Sequence, residues 1–161
     1  RNIYPSLTIK NKSKSEDSVV LENALKSSSN MKDINHAGTA MRFLTAYFSQ
    51  IDGREVLITG SKRMQERPIK ILVDALNFMG AKITYENKNG YPPLHIKGKN
   101  LKGGSVCLPA DISSQFISAL IMLGPFVEKG IELKLTGEIT SKPYIKMTLL
   151  LLKVIISGLL T

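Results

Sequence analysis

The chain has 161 residues, enough for one domain with its own core, and its single cysteine, Cys107, excludes a disulfide framework or a zinc-finger pattern. Lys and Arg number 22 against 13 Asp and Glu, so the net charge of +9 indicates attraction to an anion such as nucleic acid, acidic lipid or a phosphorylated metabolite. The lysines are scattered, so we expect no nucleic-acid partner, and the most apolar run, Leu149–Leu160, is too short to cross a bilayer, so we expect no membrane partner. The single cysteine gives no reason to place the protein outside a reducing compartment, so we expect a cytoplasmic protein.

The first third of the chain is predicted to contain a strand at residues 6–9, a helix at 15–25 and a strand at 32–34. The sequence HAGTAMRFLTAYF follows, in which the letters AGT form a small-residue turn before a helix. Arg42 lies in the first turn of this helix, where a cation opposes the helix dipole. Two explanations stay open: free N–H groups at the helix start present a site for an anion, or Arg42 is an ordinary solvated arginine.

The centre of the chain is predicted to form one amphipathic helix between short strands. Pro68 is expected at the first position of this helix and Gly80 just past its end. Four apolar residues share one face of it: Ile69, Leu72, Leu76 and Met79. Strands are predicted at residues 55–59, 82–85, 94–97 and 103–109. We expect His95 to be structural and Cys107 to be a small buried hydrophobe, because both lie in these strands.

The last third of the chain is predicted to hold a helix at residues 112–126, a strand at 131–137 and a helix at 143–158. Asp111 or Ser113 is the expected cap at the start of the first of these helices. Strands and helices therefore alternate along the whole chain. This pattern indicates a mixed α/β domain.

Residues 56–83 resemble residues 133–160, because each stretch reads as a strand, Thr-Gly, a polar loop, a proline and an amphipathic helix. Such a repeat predicts stacked copies of one strand–helix unit, whose equivalent loops lie at the same end of the domain. Several groups able to bind an anion lie in these two loops: Arg63, Arg67, Ser141, Lys142 and Tyr144.

Four segments, AGTAMRFLTA, TGSKRMQERPI, SSQFISALIM and SKPYIKMTLLLL, resemble in order and spacing the EPSP synthases, the enolpyruvyl transferases that act on shikimate 3-phosphate. The resemblance implies an α/β fold, mixed α+β in its order of elements, with repeated βαβαββ units in two halves. It implies the reaction of phosphoenolpyruvate with shikimate 3-phosphate to give 5-enolpyruvylshikimate 3-phosphate and phosphate. The chain begins with Arg1 and ends in an apolar run, so we expect residues 1–161 to be one truncated domain covering most of one half.

The resemblance also implies roles for individual residues. Gly38 and Thr39 would line the phosphoenolpyruvate pocket, where the inhibitor glyphosate also binds, and Arg67 would contact phosphoenolpyruvate. The expected shikimate 3-phosphate site consists of Ser113, Ser114, Gln115, Ser141 and Tyr144. Three further residues are possible supports of the pocket: His36, Arg42 and Arg63. No metal or cofactor is implied, and proton-transfer residues are expected from the half of the enzyme that this sequence lacks.

Each of these residues also has a purely structural interpretation. Arg67 could pair with Glu66 or Asp74, Ser113 could only cap a helix, and the ring of Tyr144 could be partly buried. Arg42 could support the pocket electrostatically or brace the loop through an ion pair.

Two other functions stay open at this point. One is the related transferase that acts on UDP-N-acetylglucosamine, although SVCLP does not resemble its catalytic cysteine loop. The other is a non-catalytic domain that binds anions or nucleic acid through its charge alone.

Overall fold

Helices and strands alternate along the computed structural model, which describes residues 9–157. The helices are α1 (Glu16–Lys26), α2 (Gly38–Ser49), α3 (Lys62–Gln65), α4 (Lys70–Phe78), α5 (Ser114–Leu123) and α6 (Lys142–Ser157), with a 3-10 turn at Gly124–Phe126. The strands are β1 (Met31–Asp33), β2 (Glu55–Thr59), β3 (Lys82–Tyr85), β4 (Leu94–Lys97), β5 (Gly104–Pro109) and β6 (Ile131–Thr136). The mixed α/β class predicted from the sequence is confirmed.

The strands form two sheets. One has four strands in the order β1-β2-β4-β3, with β1 parallel to β2 and the other neighbours antiparallel. The other pairs β5 with β6 in parallel. Each parallel pair is joined by a crossover helix, α2 in the first sheet and α5 in the second, as parallel strands require. Along the chain, the elements β1-α2-β2-α4-β3-β4 are followed by β5-α5-β6-α6. That these two stretches are copies of one repeated unit stays a prediction.

The core forms around α2, which contacts α1, α4, α5 and the strands β2 and β4. Three side chains of α2 are almost completely buried in this core: Met41, Leu44 and Thr45. The predicted apolar face of α4 is confirmed, since all four of its residues are at most 1% exposed: Ile69, Leu72, Leu76 and Met79. Because α2 is enclosed by neighbours, the position of its first turn is fixed by the core.

Two local predictions were wrong, the start of the helix at Pro68 and the burial of Cys107. The helix predicted from Pro68 begins at Lys70, because the unpredicted short helix α3 occupies the preceding loop and Ile69 becomes the N-cap. Cys107 is exposed, since the alternation of β5 turns Val106 and Leu108 inward instead. The strand predicted at 6–9 lies mostly outside the described residues, and Ile9 belongs to no strand. The first-sheet strand predicted at 32–34 lies one residue earlier, at β1.

The last helix packs on α5 through a buried hydrogen bond of 3.0 Å from Thr148 Oγ1 to Ser118 Oγ. Its opposite face is apolar and exposed, with Met147, Leu150 and Val154 each more than half accessible. Within residues 9–157, no helix combines the length and the apolar character needed to cross a membrane.

Candidate functional site

The loops that follow β1 and β2 lie side by side at one end of the four-stranded sheet. Backbone hydrogen bonds join Ile34 N–H to Thr59 O at 3.0 Å and Ser61 N–H to Asn35 O at 3.1 Å. The His36 Nδ1 and Ser61 Oγ atoms are 2.8 Å apart and share a hydrogen bond. Since α2 and α3 both begin at these loops, the start of α2 and the segment that leads to Arg67 are held together.

Gly38 is the point at which two arginine side chains meet. A methyl group at this position would lie 2.9 Å from Arg42 Nη1 and closer still to Arg67 Nη1. A side chain at position 38 would therefore require at least the Arg67 guanidinium to move away. The structure therefore brings together three of the residues that the sequence singled out.

Arg42 is only 4% exposed, so its interpretation as a solvated arginine is wrong. Its Nη1 donates a 2.8 Å hydrogen bond to Gly38 O, and its guanidinium lies 5.6 Å from the ring centre of Phe116. Its Nε is buried and has no hydrogen-bond partner within residues 9–157. Burial and the charge of Arg67 lower the pKa of Arg42 to about 10, while Asp17 acts in the opposite direction.

No carboxylate within residues 9–157 lies close enough to Arg42 to form an ion pair. The hydrogen bond from Arg42 to Gly38 O lies within the first turn of α2, so the bracing of the loop through an ion pair is not seen in this part of the chain. A buried cation that lacks a counter-ion is unfavourable unless an anion can reach it. The surroundings of Arg42 thus favour an anionic ligand.

Arg67 is exposed, and its N–H donates to Met64 O at 3.1 Å. Asp74, one partner considered for Arg67, binds Lys70 Nζ at 2.8 Å instead. In the described part of the chain, neither Asp74 nor Glu66 forms an ion pair with Arg67. The fork of this guanidinium is consequently available to bind a carboxylate or a phosphate in a bidentate manner.

A second contact joins the start of α5 to the start of α2. The Gln115 side-chain amide donates a 3.0 Å hydrogen bond to Thr39 Oγ1. The Thr39 backbone N–H donates to Asp17 Oδ1 at 2.9 Å. One of the two explanations from the sequence held that the N–H groups at this helix start are free for an anion, but the Thr39 N–H is occupied. Asp17 was missed, because an acidic residue in the first turn of its own helix gives no sign of a partner in another helix.

Ser113 is the N-cap of α5, and its Oγ accepts a hydrogen bond from Gln115 N–H at 3.4 Å; Asp111 is not the cap. Ser113 is exposed and Ser114 is half-buried. The loops that lead to Ser113 and Ser141 leave the same end of the two-stranded sheet, where Ala110 N–H donates to Thr136 O at 2.8 Å.

Tyr144 is 63% exposed, so the expected partial burial of its ring is wrong. Its N–H donates to Ser141 O at 3.2 Å in the first turn of α6. Within residues 9–157, no hydrogen bond links the Ser141 or Tyr144 side chain to Ser113 or Gln115. Arg63 is exposed on α3 and lies in no ion pair of the described chain.

Comparison with known proteins identifies the family. The model of the EPSP synthase family (3-phosphoshikimate 1-carboxyvinyltransferase) matches residues 3–155. The chain is similar to the 3-phosphoshikimate 1-carboxyvinyltransferase of Bacteroides fragilis (strain YCH46), with 50% identity over 145 residues, 90% of this chain and 35% of that protein. The enzyme of the same name from Mannheimia succiniciproducens is 46% identical over 125 residues, 75% of this chain and 29% of that protein.

The fold is similar to that of an EPSP synthase from Acinetobacter baumannii, with a TM-score of 0.64 and 25% identity. That match covers 75% of this chain and 26% of the other. The chain thus spans about a third of the length of the Bacteroides relative that it matches. The chain belongs to the EPSP synthase family.

Proposed function

We propose that residues 1–161 form most of one half of a two-domain EPSP synthase. The enzyme transfers the enolpyruvyl group of phosphoenolpyruvate to shikimate 3-phosphate and releases phosphate. The observation that carries the proposal is the meeting of Arg42 and Arg67 at Gly38, with no carboxylate of residues 9–157 paired to either. Family membership supports the nature of the anion. The second half of the same enzyme closes the cleft, no cofactor takes part, and the enzyme works in the cytoplasm.

Phosphoenolpyruvate binds on the arginine side of Gly38. The planar fork of Arg67 holds its carboxylate or phosphate, and Thr39 lines the wall of the pocket beside it. Arg42 adds positive charge from its buried position, where a low dielectric strengthens its attraction for an anion. The close approach of both guanidinium groups depends on the missing side chain of Gly38.

Shikimate 3-phosphate binds at the start of α5 and α6. The hydroxyls of Ser113 and Ser114 and the amide of Gln115 stand at a helix N-terminus, which favours a phosphate group. Ser141 and Tyr144 complete this site from the start of α6. Gln115 links the two substrates, because its amide already contacts Thr39 in the wall of the other pocket.

The contribution of this chain is to bind and orient, since proton transfer to and from the enolpyruvyl carbon falls to the other half. A single wall neither excludes water nor fixes the two substrates at reacting distance. The isolated chain is consequently inactive.

A chimaera tests the proposal. Residues 9–157 replace the matching segment of the Bacteroides fragilis relative, and the chimaera is expressed in a bacterial strain that lacks EPSP synthase. We expect growth without added aromatic amino acids and phosphate release only when both substrates are present. A folded chimaera that neither supports growth nor releases phosphate, beside an active parent enzyme, would contradict the proposal. Turnover of UDP-N-acetylglucosamine in place of shikimate 3-phosphate would contradict it as well.

A further inference from the structure

Asp17 holds the backbone of α2 at the point where the candidate anion site is built. Its Oδ1 accepts the 2.9 Å hydrogen bond from Thr39 N–H, across 22 residues of sequence. Its neighbour Glu16 accepts a hydrogen bond from Asn35 Nδ2 at 3.3 Å, in the loop before α2. The first N–H groups of a helix lack partners within the helix, so the half-buried Asp17 carboxylate satisfies one of them. The first turn of α1 thus fastens the loop and the helix that carry Gly38.

Asp17 also changes the charge of the site. Arg42 is buried beside Arg67, and the two cations repel each other. The carboxylate of Asp17 acts against this repulsion and favours the charged form of Arg42. With all three groups ionised, their net charge is +1 instead of the +2 of the arginines alone. A ligand anion therefore meets a weaker field than two unscreened arginines would produce.

We infer that Asp17 is a positioning residue that occupies the Thr39 amide and thereby directs a phosphate or carboxylate ligand to the arginine side of Gly38. The helix N-terminus would otherwise compete for the same anion, since its N–H groups and dipole attract negative charge. By holding Thr39, Asp17 also fixes the hydroxyl that accepts from Gln115. The inference rests on the proposed function for the location of the ligand.

Two substitutions separate the charge of Asp17 from its hydrogen bond. Asp17→Asn keeps a side-chain oxygen that can accept from Thr39 N–H but removes the negative charge. Asp17→Ala removes both and leaves the Thr39 amide open to a ligand. Glu16→Gln is the matched control, because it makes the same change of charge one residue away, at a side chain that contacts Asn35 instead of Thr39.

The measurement is a titration of the 161-residue chain and its variants with inorganic phosphate, followed by amide NMR at low and at moderate salt. We expect Asp17→Asn to bind phosphate about fivefold more tightly than the unaltered chain, the effect of one nearby unit charge in a water-like medium. Its affinity should also fall more steeply with salt. In Asp17→Ala the Thr39 amide resonance should move during the titration, whereas it stays in place in the unaltered chain. Glu16→Gln should bind phosphate within about twofold of the unaltered chain.

Equal or weaker phosphate binding by Asp17→Asn would overturn the inference, and so would a Thr39 amide that responds equally in the unaltered chain and in Asp17→Ala. If Asp17→Ala fails to fold, the phosphate affinity of Asp17→Asn tests the inference alone, since the Asn side chain has nearly the same size and shape as that of Asp. The same titration with phosphoenolpyruvate and with sulfate separates this inference from the proposed function. Suppose that the variants behave with phosphate as expected above, but that the chain binds phosphoenolpyruvate no more tightly than sulfate. That outcome would contradict the proposed function and leave the role of Asp17 in place.

Discussion

Arg42 and Arg67 direct their guanidinium groups at the same glycine, Gly38, although one arginine is buried in a helix and the other is exposed on a loop. Like charges are seldom held so close without an anion between or beside them. Arg42 is buried and anchored by its hydrogen bond to Gly38 O, whereas Arg67 is exposed and its guanidinium makes no hydrogen bond within residues 9–157. The two residues should accordingly respond differently to substitution.

Substitution of Arg67 by Ala in the chimaera should abolish most phosphoenolpyruvate turnover while shikimate 3-phosphate binding survives. Removal of one partner of a desolvated charge pair costs about 2–5 kcal/mol, which corresponds to a large fall in kcat/KM measured at varied phosphoenolpyruvate concentration. Lys62→Ala is the matched control, because it removes an exposed cation from the neighbouring α3. In the isolated chain, Arg67→Ala should not lower the free energy of unfolding, because it removes a repulsion. Unchanged kinetics would show that Arg67 is a surface residue without a ligand.

Substitution of Gly38 by Ala should displace the Arg67 guanidinium, because the new methyl group needs the same space. We expect a roughly tenfold rise in the KM for phosphoenolpyruvate, equivalent to the loss of about 1.4 kcal/mol of binding. Gly124→Ala serves as control, since a methyl group there meets no atom within 4 Å and its backbone is already helical. Equal effects of the two substitutions on KM would argue against a ligand beside Gly38.

Substitution of Thr39 by Val should destabilise the chain, because the half-buried Gln115 amide loses the hydroxyl that accepts its hydrogen bond. We expect a loss of about 1 kcal/mol, the low end of the cost of leaving a buried polar group without a partner, because this contact is only half-buried. Thr39→Ser keeps the hydroxyl and should retain more of the stability. The measurement is urea unfolding of both variants; a Val variant as stable as the Ser variant would mean that this hydrogen bond contributes nothing.

The pH dependence of stability should show the influence of Glu22. Lys12 and Lys26 each donate a 2.6 Å hydrogen bond to Glu22 Oε1, and these contacts lower the pKa of Glu22 from 4.5 to about 2. A carboxylate with a depressed pKa stabilises the fold above pH 4.5, and this contribution disappears as the pH falls toward 2. The difference in melting temperature between the unaltered chain and Glu22→Gln should thus be constant from pH 7 to pH 5 and vanish near pH 2. A difference that grows on acidification would contradict the assignment.

Addition of shikimate 3-phosphate alone to the isolated chain should produce weak, salt-sensitive NMR shifts at Ser113, Ser114 and Ser141. The binding is weak because one wall encloses only part of the ligand. No phosphate should be released after addition of phosphoenolpyruvate. Shifts confined to scattered lysines would mean that the site is not formed without its partner half, and robust turnover would contradict the view of this chain as one part of a larger enzyme.

Local patterns in the sequence predicted much of the fold. The buried face of α4 follows from the spacing of Leu72 and Leu76, and β2 was predicted at its observed bounds because it is a short apolar run closed by Gly60. The predicted start at Pro68 was two residues too early, since α4 begins at Lys70 with Ile69 as its N-cap. Helix ends are commonly uncertain by one or two residues, so sequence patterns locate a helix better than they locate its first residue.

The candidate site was less accessible to prediction. Motifs identified Gly38 and Arg67, but the burial of Arg42 depends on Phe116 and Met64, which come from distant parts of the chain. The partner of the Thr39 amide is likewise a residue of another helix, Asp17. Long-range contacts of this kind leave no periodicity in the sequence, so only the folded arrangement reveals them.

The hydrogen bond between Gln115 and Thr39 joins residues that are 76 positions apart. Closing so long a loop has an entropic cost that the chain recovers only when the surrounding core is assembled. The anion site should hence appear late, in the same step that completes the tertiary structure, and partly folded forms should not bind phosphate. Binding of this simple ion would then report the fraction of molecules that have reached the native state, which gives a convenient probe for refolding kinetics.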